Sequence, residues 1–186
     1  VDFIHDAIIK NSQISFEYFD WNEKKEKVLR HGGKRYVVSP WALTWDDENY
    51  YLVAFDSVED KIKHFRVDKM LRIELSNLRR EGKQNFQAFD MGSYAKKMFG
   101  MFAGEEEMVK IICKNEFAGV MIDQFGKDVT MVKVDEEHFY VTVKVYVSKQ
   151  FLAWVIGLGD GVKIVGPERV VDKVREEIAR LVKQYM

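Results

Sequence analysis

The chain has 186 residues, with 29 lysines and arginines against 30 aspartates and glutamates, so its formal net charge is −1. With 47% hydrophobic residues, 32% charged residues and two prolines, it has an ordinary globular composition, which excludes disordered and collagen-like chains. Basic and acidic residues are balanced in both halves of the chain, which argues against non-specific binding of nucleic acid through a global positive field.

The sequence also bears on the compartment. No apolar run approaches the roughly 20 residues of a membrane span, and no secretory signal opens the chain. The single cysteine, Cys113, lies in an apolar segment and has no partner for an internal disulfide, as is usual in a reducing cytosol. We therefore expect a cytoplasmic protein without a membrane partner. The start at Val1 rather than Met suggests part of a longer protein.

The first 80 residues predict a short helix followed by a small β-domain. Apolar residues at helical spacing predict a helix over Asp2–Lys10. Strands are predicted at Gln13–Phe19, Lys24–His31, Lys34–Trp45, Tyr50–Phe55, Lys61–Val67 and Met70–Leu75. Because these strands are short and joined by tight turns, they favour an antiparallel barrel or sandwich.

The remainder predicts a bridge and a second domain. A polar connector and then a Met- and Phe-rich stretch at 90–104 favour a bridge at 81–105. Beyond it the pattern predicts strand Met108–Lys114, helix Glu116–Phe125, strands Val129–Val134 and His138–Val147, helix Lys149–Gly157, strand Gly161–Val165 and helix Glu168–Met186. This order contains the split βαβ arrangement of a ferredoxin-like fold with an extra helix. We predict an α+β protein with domains at 1–80 and 106–186.

Signatures of enzymatic chemistry are weak. The four histidines are scattered without metal-ligand spacing, and Cys113 lies in a predicted buried strand. The glycines at 157–161 follow a helix, whereas a phosphate cradle places its glycines before one. The clustered carboxylates occupy predicted hairpin tips, where they favour solvated turns. We therefore expect no enzyme and no cofactor or metal site.

One strand carries a pattern that points to binding. Alternation places His64 and Arg66 on the same face of their strand, about 7 Å apart. Neighbouring strands offer Tyr51, Tyr36 and Ser39, and Lys69 follows the strand's end. These donors could together hold an anion, with Trp41, Trp45 and Tyr50 available to stack a base. From the spacing alone a solvated basic strand face is the favoured interpretation, and the anion site stays open beside it.

Five segments resemble a known family. Those of the first domain are Arg35–Leu43, Tyr50–Asp56 and His64–Met70; those of the second are Leu152–Gly159 and Val162–Glu168. The first three resemble the WYL domain of bacterial transcriptional regulators, with Tyr50 in place of the usual Trp and Lys69 where Arg is common. The other two resemble the WCX extension that often follows a WYL domain.

This resemblance implies an SH3/Sm-like β-barrel that senses an effector, followed by the WCX region. It implies a nucleotide or single-stranded nucleic-acid effector, a homodimer, and promoter DNA contacted through an N-terminal helix-turn-helix that precedes residue 1. By motif position the effector residues are Tyr51, His64 and Arg66, with Ser39 and Lys69 as weaker members. Arg66 and Lys69 would pair with phosphates, and His64 would make binding depend on pH.

Two alternatives remain at this stage. In one, a small metabolite binds the ferredoxin-like domain near Trp154, and the barrel is an adaptor. In the other, the chain is a hydrolase, which would require a nucleophile and base that the sequence does not supply.

Overall fold

The computed structural model describes residues 1–86, 92, 94, 97–99 and 104–186. The chain divides into two compact units, Val1–Met91 and Gly92–Met186. About half of the predicted bridge at 81–105 falls outside the described residues, so the three-part division stays a prediction.

The first unit is a helix followed by a curled antiparallel sheet. Its elements are α1 Asp2–Ile9, β1 Ser12–Trp21, β2 Lys27–Leu29, β3 Tyr36–Asp46, β4 Asn49–Asp56, β5 Lys61–Arg66, β6 Met70–Arg79 and the short helix α2 Lys83–Phe86. In the sheet β1 is flanked by β3 and β6, and β4 and β5 continue beyond β3, while β2 pairs with the end of β1. The result is a half-barrel, which confirms the predicted class of this domain.

Alternation decides which side of this sheet becomes the core. Ile14 and Phe16 of β1, Leu52 of β4 and Phe65 of β5 are buried on the concave side. Ile4 and Ala7 of α1 belong to the same cluster, so one apolar stripe of the helix covers the interior of the curl. A β-bulge in β3 between Pro40 and Ala42 lets the sheet bend at that point.

One predicted strand is much shorter than its pattern suggested. The segment predicted as Lys24–His31 forms a strand only over Lys27–Leu29 and continues as a 3₁₀ turn over Arg30–Gly33. Within the turn His31 has a φ of 50° and Gly32 a φ of 64°. Two successive left-handed residues cannot continue a ladder, so the glycine pair begins its turn earlier than the sequence indicated.

The second unit has the ferredoxin-like topology. Its elements are β7 Glu105–Lys114, α3 Ala118–Phe125, β8 Met131–Lys133, β9 His138–Val147, α4 Lys149–Gly157, β10 Val162–Gly166 and α5 Glu168–Tyr185. The strand order β10-β7-β9-β8 places the first and third strands of this unit in the centre of the sheet. All three pairings are antiparallel, so the predicted fold of this domain is confirmed.

Helices cover one side of this sheet. Val109 and Ile111 of β7 and Val141 of β9 are fully buried in one cluster with Met121 of α3 and Phe151 of α4. The intervening residues of β7 and β9 therefore face away from that core.

Candidate functional site

The hairpin of β4 and β5 brings three of the predicted site residues together. Tyr51 lies directly opposite Arg66 in the register, and His64 lies opposite Val53. Since Leu52 and Phe65 point into the core, Tyr51, His64 and Arg66 share the convex face of the sheet. Directly opposite side chains in an antiparallel pair are about 5 Å apart at Cβ, so the predicted grouping of these three is geometrically sound.

A short turn holds this hairpin in register. The Oδ1 atom of Asp56 accepts hydrogen bonds from the backbone N–H groups of Val58 and Glu59, at 3.0 and 3.2 Å. Its other carboxylate oxygen lies 2.6 Å from Lys63 Nζ, which also contacts Glu59 at 2.6 Å. Because these groups are part-buried, the turn fixes the register of β4 against β5 and hence the position of Tyr51 relative to Arg66.

Arg66 is already engaged by neighbouring acceptors. Its Nε and Nη2 atoms donate to the two carboxylate oxygens of Asp68, at 3.1 and 2.8 Å, and Nη2 also donates to Asn49 Oδ1 at 2.6 Å. Its backbone N–H donates to the Tyr18 hydroxyl at 3.0 Å. The Asp68 carboxylate raises the pKa of Arg66, and Arg66 in turn lowers the pKa of Asp68. The Asp68 carboxylate thus fixes the orientation of the Arg66 guanidinium.

His64 differs from the expectation. Burial lowers its pKa to about 4, so the imidazole is neutral at physiological pH. A neutral ring offers one N–H donor and one acceptor, not a positive charge. His64 therefore becomes protonated only well below physiological pH, and it cannot make ligand binding depend on pH in the physiological range, as the sequence had suggested.

Lys69 and Tyr36 are engaged elsewhere than Tyr51, His64 and Arg66, Lys69 with a carboxylate and Tyr36 on the core side of the sheet. Lys69 Nζ lies 3.2 Å from Asp20, whose carboxylate also binds Arg30, and Arg30 is the main cause of the lowered pKa of Asp20. The Tyr36 ring stacks on Phe16 of the core at a centroid distance of 5.5 Å.

Ser39 has a structural partner. It is buried, and its hydroxyl oxygen accepts the backbone N–H of Glu81 at 2.8 Å. Trp41 donates to the Glu81 carbonyl at 2.8 Å and stacks on Phe86 with centroids 5.0 Å apart. The Arg80 guanidinium lies over the Trp41 ring, with its Cζ atom 4.1 Å from the ring centroid. Ser39 and Trp41 thus anchor the segment that follows β6.

Trp45 and Tyr50 remain accessible. They are exposed to 59% and 44% and contact each other edge to face, with ring centroids 4.7 Å apart. Tyr50 directly precedes Tyr51 on β4. These two rings, unlike Trp41, keep surface on which a base could stack.

A cleft that the sequence analysis missed lies on the same unit. It has a volume of about 390 Å³, and its lining includes His31, Lys34, Arg35, Tyr36 and Lys63. Of the predicted site residues only Tyr36 reaches it. The basic doublet Lys34–Arg35 after two glycines was the sequence feature that could have indicated this cleft. Within the structure, however, Arg35 donates to the carbonyl of Arg72 at 2.7 Å and pairs with Glu74 at 3.1 Å.

The second unit places Trp154 inside an aromatic cluster. Its ring contacts Phe99 at 5.1 Å and Phe125 at 5.8 Å, and both belong to the core or pack against it. A separate apolar cleft of about 430 Å³ lies between α4, β10 and α5, and Ile156, Val174 and Ile178 are among its lining residues. Trp154 does not line this cleft.

Groups that could support other chemistry are sparse in the described ranges. Cys113 is buried, and burial raises its pKa to about 11, in keeping with a core position. Within the described residues no three metal-ligating side chains gather into a site. None of the helices in those same ranges is long and apolar enough to cross a bilayer.

Comparison with known families decides the identity of both units. Residues 1–75 match the family model of the WYL domain, and residues 108–182 match that of the WCX domain. The chain carries a WYL domain followed by a WCX domain. The predicted resemblance is therefore confirmed, and the half-barrel is the WYL domain while the ferredoxin-like unit contains the WCX domain.

Two solved structures are similar to this chain. Proteasome accessory factor B/C (PafBC) of Arthrobacter aurescens matches 99% of this chain and 26% of its own, with 20% identity and a TM-score of 0.40. A CRISPR Cas-related protein matches 98% of this chain and 51% of its own, with 14% identity and a TM-score of 0.53. This chain thus spans about a quarter and about half of those proteins. No curated protein matches it.

Proposed function

We propose that this WYL–WCX chain is the effector-sensing, regulatory region of a bacterial transcriptional regulator. In this proposal its WYL domain binds an anionic ligand, a nucleotide or a short single-stranded nucleic acid, on the face that carries Tyr51, His64 and Arg66. The region acts in the cytoplasm as a homodimer, and promoter DNA is contacted by a separate DNA-binding domain of the full-length regulator. It carries out no catalysis.

The bidentate engagement of Arg66 by Asp68 carries this proposal. A fork that fits the two oxygens of a carboxylate also fits two oxygens of a phosphate. The side chains of Arg66 and Asp68 are exposed to 35% and 53%, and such exposed pairs contribute only about 0–1 kcal/mol. Replacing Asp68 by a phosphate therefore costs little, while Asn49 continues to orient the guanidinium.

Tyr51 and His64 supply neutral donors beside this cation. Burial is the largest cause that raises the pKa of Tyr51, so its hydroxyl keeps its proton at neutral pH. The neutral imidazole of His64 keeps one N–H. A phosphate on Arg66 would thus meet one positive charge and hydroxyl and imidazole donors. The exposed rings of Trp45 and Tyr50 lie on the neighbouring β3–β4 hairpin and, by alternation with Tyr51, on the other side of the sheet, so a base stacked on them would have to reach around the sheet end.

Ligand binding regulates only if it favours one arrangement of the protein over another. Strand β4, which carries Tyr51, also carries Phe55, and Phe55 packs against Gly82 of the segment that leaves the barrel. A ligand that orders β4 and β5 would therefore bear on the start of the connection to the WCX domain.

Fluorescence anisotropy of short labelled oligothymidylates tests the site. We expect Arg66→Ala to weaken binding about tenfold or more, the loss of a charge-assisted hydrogen-bonded pair, and to reduce the salt slope by about 0.7. Asp68→Asn removes the internal competitor and should tighten binding. The matched control is Arg180→Ala, which removes a guanidinium hydrogen-bonded to Glu177 on α5. Equal affinities for Arg66→Ala and Arg180→Ala would refute the assignment.

The apolar cleft of the second unit favours one other function, the binding of a small metabolite by the ferredoxin-like domain. Its lining by α4, β10 and α5 would suit an apolar body rather than a phosphate. Native mass spectrometry of the purified protein would detect a retained ligand. Loss of that ligand in Val174→Trp, which fills the cleft, but not in Arg66→Ala would favour this function over the first.

A further inference from the structure

The WCX sheet has a second face, opposite α3, α4 and α5; among the described residues before β7, Tyr94 and Lys97 contact this face at one end, at Tyr146 and Glu106. Because Val109, Ile111 and Val141 are buried under the helices, the alternate positions of β7 and β9 point the other way. Several of those positions are exposed, including Met108 at 54%. Side chains on this open face come from all four strands and include Val132 of β8, Tyr140, Thr142 and Lys144 of β9, Met108, Lys110 and Ile112 of β7, and Lys163 of β10.

The strand register orders these side chains into rows. Val132 lies opposite Tyr140, Tyr140 opposite Ile112, and Ile112 opposite Lys163, so one row crosses the whole sheet. In the next row Lys110 lies between Thr142 and Gly166. Lys110 and Lys163 are diagonal neighbours on adjacent strands, a spacing of about 7–8 Å. Tyr140 thus lies on a central strand of an open face, with two lysines beside it.

The charge on this face is segregated. Lys110 and Lys163 form no ion pair with any described residue. The one carboxylate that the described strands add to the face is Glu106, at the far end, where it lies 2.5 Å from Lys144. Lys110 and Lys163 thus lie beside Tyr140, while Asp135 and Asp160 of the neighbouring turns are paired with His138 and Lys114 at the end of the face nearer Tyr140.

In the protein without ligand, the Lys110 ammonium lies over one face of the Tyr140 ring. Its Nζ atom lies 3.7 Å from the ring centroid, a cation–π contact. Tyr140 is half-buried, and the ring face that holds the ammonium is electron-rich. A flat base can replace the ammonium there, and the flexible lysine stem can carry the charge to an adjacent phosphate.

We propose that this open sheet face binds single-stranded nucleic acid, with one base stacked on Tyr140 and the flanking phosphates paired with Lys110 and Lys163. Every base has a π-face, and a four-stranded sheet whose central strands present aromatic rings is a recurrent platform for single strands. An acidic peptide would use the lysines but not the ring. The surface is in the WCX domain and does not depend on the proposed role of Arg66.

Photocrosslinking gives a site-specific readout. An octathymidylate in which 5-iodouracil replaces thymine is irradiated with the full chain, and the crosslinked residue is located by mass spectrometry. We expect the crosslink at Tyr140. Anisotropy on the same probe should show about fivefold weaker binding, or more, for Tyr140→Ala and nearly unchanged binding for Tyr140→Phe, which keeps the ring.

The lysines are tested through the salt dependence of binding. Lys110→Ala should reduce the slope of log affinity against log salt by about 0.7, the value for one phosphate contact on a single strand. Lys133→Ala is the matched control, because Lys133 is exposed on β8 but lies opposite Phe139, on the helix-covered side of the sheet. All variants are measured with and without Arg66→Ala, so that binding on the WYL domain is read separately.

Three results would overturn the proposal. Unchanged affinity in both Tyr140→Ala and Lys110→Ala with a crosslink elsewhere would remove the site, whatever Arg66→Ala does. Displacement of the probe by polyglutamate as readily as by unlabelled oligothymidylate would mean that the face recognises charge alone. A change of oligomeric state in Tyr140→Ala without nucleic acid, seen by light scattering, would make the face an interface between copies of this chain.

Discussion

Burial of His64 predicts that the stability of the WYL domain depends on pH. The pKa of this imidazole is lowered from its ordinary value of 6.5 to about 4 in the folded protein, because burial disfavours the charged ring. The unfolded state therefore binds more protons than the folded state between these two values. The resulting stability is fully present above about pH 6.5 and is lost as the pH falls toward 4.

The magnitude follows from the two pKa values. A difference of about 2.5 pK units corresponds to about 3 kcal/mol when the loss is complete. Between about pH 7 and pH 5 the linkage relation predicts a loss of about 2 kcal/mol from this group. His64→Gln cannot titrate and should lose correspondingly less stability over the same interval.

Urea unfolding of the wild type and His64→Gln at about pH 7 and pH 5 measures this difference. Tryptophan fluorescence reports mainly on the WYL domain, because Trp21, Trp41 and Trp45 lie there and Trp154 does not. Carboxylates that titrate in this interval affect both proteins and cancel in the double difference. His5→Gln, on the surface of α1, is the matched control. An equal loss of stability in the wild type and His64→Gln would refute the reasoning.

Two further predictions concern packing. Gly82 has a φ of 79° and a Cβ added there would overlap the Phe55 side chain, so Gly82→Ala should destabilise the WYL domain by about 1–3 kcal/mol in urea unfolding. Gly119→Ala on α3 has open space and should be neutral or slightly stabilising. Cys113, whose pKa is about 11, should resist iodoacetamide at neutral pH in the native chain and react once urea unfolds it, as followed by intact mass; rapid native labelling would contradict its burial.

Elements with strong local signals matched their predictions closely. Strand His138–Val147 and helix Lys149–Gly157 have the bounds that the sequence indicated. Between them Ser148 accepts the backbone N–H of Phe151 at 3.2 Å as the helix N-cap, so both ends are set by neighbouring residues. The predicted strand Lys24–His31 was too long, because the turn that ends it depends on left-handed backbone at His31. The alternation of polar and apolar residues does not reveal that backbone conformation.

For the candidate site too, local periodicity predicted some features and tertiary contacts decided the others. Period-two alternation alone placed His64 and Arg66 on one face, since successive side chains of a strand point to opposite sides. It could not place Asp68 and Asn49 on the guanidinium, because those contacts depend on the path of the chain after β5 and on the β4–β5 register. Nor could it show that Ser39 is buried under Glu81, 42 residues away in the sequence.

By itself, then, the sequence determined the order and type of most elements, the two families and the strand face that His64 and Arg66 share. These properties depend on local periodicity and short motifs. Only the tertiary structure decided that Arg66 is engaged by Asp68, that His64 is neutral and that Lys110 lies over Tyr140 on an open sheet. Those outcomes depend on burial and on contacts between strands, which no local pattern contains.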